Sequence, residues 1–75
     1  MDLTRTIGAR ITVAREAAGL TQRELAERAG LTQHVSVSRY ERGVARPDLE
    51  TAARLARALE VSLDWLATGQ GQGPA

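Results

Sequence analysis

Between Thr21 and Gly43 the chain has room for two short helices and almost nothing between them. Thr21 followed three residues later by Glu24 has the form of a capping box, in which each side chain accepts the other residue's backbone N–H. It opens a helix from Gln22 to about Ala29, with Leu25, Ala26 and Ala29 facing inward. Gly30 ends that helix and Leu31 follows as a buried hinge residue. Thr32 can cap the next helix, which runs to about Arg42 and is closed by Gly43. So tight a turn needs the backbone angle that glycine tolerates. Leu31 must plug the angle between the helices, and Ala26 must stay small because the second helix crosses close to it.

The flanking segments are helical too. Thr4 or Thr6 can cap a first helix with Ile7, Ile11, Ala14 and Ala18 at helical spacing, stopped by Gly19. After a loop over residues 43–47, Asp48 caps a fourth helix whose apolar stripe is Leu49, Ala52, Leu55, Ala56 and Leu59. Ser62 starts a last short helix, from Leu63 to about Thr68. The reading is one domain over residues 1–69, with residues 70–75 as a disordered tail.

Composition narrows the class. With no cysteine, a disulfide framework is excluded, and with one histidine besides, so is the usual His/Cys zinc site. No cofactor is expected. The aromatic residues are Trp65 and Tyr40, so the core must come from Ala, Leu, Ile and Val, which suits closely crossing helices better than a sheet. No long apolar run and an arginine-bearing start point to a soluble, cytoplasmic protein with neither membrane span nor leader. Net charge is only +1, but residues 1–47 carry eight arginines against five acids, while residues 48–75 carry two against four. One part of the molecule is therefore positive. Enzyme chemistry is not expected, because the chain lacks a cysteine nucleophile and is too short to enclose a substrate.

The helix, tight turn and second helix form a helix-turn-helix pattern. The sequence resembles the Cro/repressor (Xre-type) regulators of phages and bacteria in "IGARITVAREAAGLTQRELAERAGLT", "SRYERG", "RPDLETAARLARALEVS" and "LDWLATG", which together cover roughly residues 5–69. The resemblance implies an all-α, compact five-helix bundle of the lambda-repressor-like kind. It implies a transcriptional regulator, a repressor by preference, whose third helix (about 33–42) enters the major groove, with a homodimer on an inverted-repeat operator. It also suggests that Arg15 on the first helix pairs with Glu41 on the third, and that the last helix makes the dimer contact. Trp65, placed between Leu63 and Leu66, is then expected to point outward, either simply covering the fourth helix or, by preference, into that contact.

Taken by its angles, the third helix puts Val37 and Tyr40 on one side and Val35, Arg39 and Arg42 on the other, with His34 and Ser38 at the border. Base readers are expected at Gln33, His34, Val35 and Arg39. Arg39 suits guanine, Val35 a thymine methyl and Gln33 adenine. Contacts to the DNA backbone are expected from Thr21, Gln22, Ser38, Arg42 and Arg46. Members of the resembled family usually have one residue fewer between the two glycines. Counting from Thr32 makes Gln33 and His34 the first readers; counting back from Ser38 makes them His34 and Val35. The extra residue is absorbed either by a late helix start with a longer turn, which is favoured, or by a π-bulge near residues 34–37. The rival to DNA reading is a protein-interaction module, antitoxin-like or co-regulatory, on the same fold.

Overall fold

The computed structural model describes residues 5–75, so Thr4 as a first cap lies outside the described residues. Five helices follow in order: α1 (Ile7–Ala17), α2 (Gln22–Arg28), α3 (Val35–Glu41), α4 (Leu49–Leu59) and α5 (Leu63–Thr68). Four of them start on a side-chain cap. Thr6 accepts from Ala9 N at 3.1 Å, Asp48 from Thr51 N at 2.8 Å and Ser62 from Trp65 N at 2.9 Å. At α2 the capping box is complete, with Thr21 N on Glu24 Oε1 at 2.9 Å and Glu24 N on Thr21 Oγ1 at 3.0 Å.

Each helix sends one large side chain into the centre: Ile11, Leu25, Val37, Leu55 and Leu66 are fully buried. Burying one such side chain contributes about 1.5–3 kcal/mol. The helices α1 and α2 both pack on α3, and α4 closes the other side against α2 and α5. Gly8 makes the α1–α3 approach possible, since a Cβ there would collide with the backbone oxygen of Tyr40.

Four sequence expectations change. The helix α3 begins at Val35 rather than at residue 33, and Thr32 is not its cap. Its cap position is His34, with φ −65° and ψ −32° and no side-chain cap bond. The extra residue is thus absorbed by a longer turn over residues 31–34, and α3 itself is a regular α-helix without a π-bulge. Leu49, assigned to the α4 stripe, is 75% exposed, because the first residue of a helix projects beyond the layer it caps. Trp65, expected outside, is 8% exposed and belongs to the core cluster with Leu66. The tail explains part of that burial: residues 70–75 form no helix or strand, and residues 71–73 lie back on α5. There Ser62 N donates to Gln72 O at 2.9 Å, and Gly73 leaves no room for a Cβ beside the indole.

One buried charge has no sequence signal. Arg10 is 5% exposed and donates from Nε to Leu66 O at 2.7 Å and from Nη2 to Ala67 O at 2.8 Å. It satisfies carbonyls of the last turn of α5, which have no partner within their own helix. It thereby ties the first helix to the last.

Candidate nucleic-acid interface

The turn between α2 and α3 sets the geometry of the site. Gly30, at φ +72°, lets Leu31 N reach Ala26 O at 2.9 Å while Gly30 N reaches Glu27 O at 3.1 Å. This paired closure is the Schellman motif, and an L side chain at Gly30 would be strained. Leu31 packs against the core cluster from the turn, and Ala26 is fully buried beneath the crossing.

Held by Val37 and Tyr40, α3 turns the opposite side outward. Val35 is 62% exposed, and Arg39 and Arg42 are exposed at the next two helical repeats of that face. Gln33 and His34 are exposed in the turn that leads into it, whereas Ser38 is half-buried. Among the expected readers, Val35 and Arg39 therefore share one helix face, His34 stands at its start, and Gln33 lies one residue before the helix cap.

Glu41 binds the three helices together behind that face. Arg15 Nε donates to Glu41 Oε2 at 2.7 Å and its Nη2 to Oε1 at 3.2 Å, while Nη1 reaches Leu20 O at 2.8 Å. The hydrogen bond to Glu41 raises the Arg15 pKa above its ordinary value, against the opposing effect of burial. Gln22 Nε2 also donates to Glu41 Oε1, at 3.0 Å. Gln22 thus keeps its carbonyl and one amide hydrogen for other partners, and its orientation is set by α3. Thr21 is exposed, but both its N–H and its hydroxyl are engaged by Glu24. Those bonds hold the Glu24 carboxyl below the ordinary carboxylate range.

Arg42 and Arg46 line, with Arg5 and Arg10, a groove of about 590 Å³ between the start of α1 and the loop after α3. Arg23, which the sequence reading did not single out, lies on α2 and donates from Nε to His34 Nδ1 at 3.2 Å. Nothing in local spacing marks that contact, since it joins two elements across the turn. Among the described residues, no group of three or more His, Cys, Asp or Glu side chains could hold a metal ion. No helix there is long and apolar enough to cross a membrane.

Two short helices crossed through a glycine-closed turn, the second anchored by an apolar side and presenting Val, Arg and Arg outward, define a helix-turn-helix domain. The chain belongs to the helix-turn-helix (HTH_3) family, which its residues 12–66 match. It is 42% identical over 60 residues to the uncharacterized HTH-type transcriptional regulator y4dL of Sinorhizobium fredii, covering 80% of this chain and 30% of that protein. It is 38% identical over 61 residues to the HTH-type transcriptional regulator ImmR of Bacillus subtilis, covering 81% and 47%. The chain thus spans less than half the length of either. A third relative, the uncharacterized HTH-type regulator y4dJ of Sinorhizobium fredii, is 36% identical over 74 residues, with 99% of this chain and 95% of that protein covered. These relatives are named as transcriptional regulators rather than enzymes.

Among solved structures, the P22 c2 repressor in complex with a synthetic operator superposes with a TM-score of 0.82 at 31% identity, covering 89% of this chain and all of that one. The biofilm regulator SinR in complex with DNA gives 0.76 at 32%, covering 81% and 97%. The SinR–SinI protein complex gives 0.76 at 32%, covering 81% and 59%. The all-helical, repressor-like fold is shared throughout.

Proposed function

We propose that this chain binds duplex DNA sequence-specifically as a repressor-type transcriptional regulator, with α3 laid in the major groove. The observation that carries the reading is the exposed Val35–Arg39–Arg42 face. It belongs to a short helix whose other side is fixed by Val37, in a domain superposable on an operator-bound repressor. Arg39 is assigned to guanine O6 and N7, Val35 to a thymine methyl and His34 to the neighbouring base edge. Gln33 reaches an adenine from the turn. Gln22, Arg42 and Arg46 are assigned to phosphates, with Thr21 and Ser38 lining the same path; these contacts position the domain without reading sequence.

The domain works in the cytoplasm, two copies meeting on an inverted repeat. Trp65 is not the anchor of that meeting, because its ring is covered by its own chain. Selection of bound duplexes from a random pool tests the whole reading. A two-fold symmetric consensus supports it, and recovery of unselected sequence refutes it.

The protein-partner reading is favoured by one observation, the likeness to SinR held by SinI. A stoichiometric partner that co-purifies with this chain and survives nuclease treatment would support that reading.

A further inference from the structure

One side-chain contact ties the turn before α3 back to α2. Arg23 Nε donates to His34 Nδ1 at 3.2 Å. An arginine Nε offers only a hydrogen, whereas a neutral imidazole has one nitrogen that donates and one that accepts. The nitrogen facing Arg23 is therefore the bare one, and the ring proton sits on Nε2.

The far edge of the ring is free to act. His34 stands at the cap position of α3 with a helical backbone, and its side chain makes no cap bond. The ring is exposed, and Nε2 meets no protein acceptor among the described residues. The next residue, Val35, opens the face assigned to the bases. Residue 34 thus meets the groove with one defined hydrogen, pointing away from α2.

We propose that Arg23 is a specificity-determining positioning residue. It holds neutral His34 as the Nε2–H tautomer, so that residue 34 acts only as a donor and selects a base with a major-groove acceptor, guanine above all. This rests on the DNA-reading function proposed above. Guanine offers two adjacent acceptors, O6 and N7, so a single donor is satisfied across the width of the base. Cytosine presents an amino donor there, and adenine sets an amino group beside its one acceptor. A ring released from Arg23 exchanges tautomers and can offer a donor or an acceptor, which blurs the choice. The remaining guanidinium hydrogens of Arg23 stay available to a phosphate, so one side chain sets the ring and adds positive charge.

The test has two arms. In the free protein, nitrogen-15 spectra of the His34 ring at a pH where it is neutral should show one tautomer, protonated at Nε2, and an Arg23 Nε–H slowed in exchange. Arg23→Met should give a tautomer mixture with the melting temperature unchanged, because both side chains are exposed. In the second arm, base preference is measured by competition between duplexes. His34→Ala identifies the base pair that residue 34 reads. Arg23→Met should cut the preference for guanine there by roughly two- to tenfold, the tautomer bias that the single Arg23–His34 hydrogen bond supplies. Adding Arg23→Met to His34→Ala should change that preference no further.

A ring protonated at Nδ1, or a tautomer ratio unmoved by Arg23→Met, overturns the proposal. So does a loss of affinity that is equal for every duplex, which would make Arg23 a phosphate contact alone. If the tautomer behaves as stated but no duplex is preferred even by the unmutated chain, the DNA-reading function has failed, and the specificity role is rejected with it.

Discussion

Arg39 and Gln22 are both polar residues at the proposed interface, but the structure gives them different freedoms. Arg39 projects into solvent from the exposed face of α3, whereas Gln22 is tethered to Glu41 at 3.0 Å. Arg39→Ala is expected to cost about 1–3 kcal/mol on the preferred duplex and to relax choice at one base pair per half-site. Gln22→Ala should weaken all duplexes alike. Competition titrations distinguish the two, and an equal loss across sequences for Arg39→Ala would reassign it to the backbone. Glu41 is a different kind of residue, with its side chain only 8% exposed and its oxygens shared by Arg15 and Gln22. Removing it strands the Arg15 guanidinium, itself 15% exposed, so Glu41→Ala should destabilise by about 3 kcal/mol. In a domain with about 5 kcal/mol in total, that lowers the melting temperature drastically. A melt within a degree or two of the parent would show the pair to be dispensable.

At the scale of elements, the approach of α1 to α3 depends on Gly8. A methyl group there meets the backbone oxygens of Tyr40 and Glu41, which cannot rotate aside as a side chain would. Although alanine is the better helix former, Gly8→Ala should destabilise by about 1–3 kcal/mol, the usual cost of overpacking. Chemical denaturation checks the sign, and a stabilised variant would disprove the close approach. The helix starts carry a pH dependence. Glu24 and Asp48 are held below their ordinary values of 4.5 and 3.8, chiefly by the backbone N–H groups of Thr21 and Thr51. A folded-state value below the unfolded one means stability that is fully present above the ordinary value and lost as pH falls through the folded value. Melting temperature should therefore fall on acidification below about pH 4.5. The double variant Glu24→Gln with Asp48→Asn keeps the hydrogen-bond acceptors without the charges. It should flatten that decline in melts followed by circular dichroism; an unchanged acid limb would place the sensitivity elsewhere.

The whole molecule is small enough for its proposed arrangement on DNA. Its principal extents are 29 × 23 × 23 Å, so two copies fit side by side with centres one turn of DNA apart, about 34 Å. Residues 48–75 carry more acids than arginines, which confines the positive charge to the part that holds α2, α3 and the following loop. Binding should accordingly be cooperative on a full inverted repeat and weaken steeply with salt as phosphate contacts release counterions. Gel-shift titrations at several salt concentrations measure both. Equal affinity for half-site and full site would refute paired binding, and a flat salt dependence would refute the arginine–phosphate contacts.

Most of the fold is legible in the sequence. Caps at Thr21, Asp48 and Ser62, and at Thr6 as one of two candidates, together with apolar residues three and four apart, mark helix starts and inner faces through interactions of near neighbours in the chain. The turn at Gly30 is equally local, since its backbone angle excludes most other residues. Where the sequence failed, the deciding neighbours are distant. A helix of six residues has too few turns for spacing to show which side is buried, so Trp65 was settled by the core above it and the tail that folds back. Arg10 lies inside because α5 ends where its guanidinium can serve two carbonyls, 56 and 57 residues away. The late start of α3, by contrast, agrees with the favoured sequence reading, because Leu31 in the hinge and Val37 in the core fix both ends and leave the turn to lengthen. Arg23 meets His34 only because that turn brings α2 and the start of α3 together. Chain spacing specified the helices and the turn; the crossing of those helices decided which side chains meet.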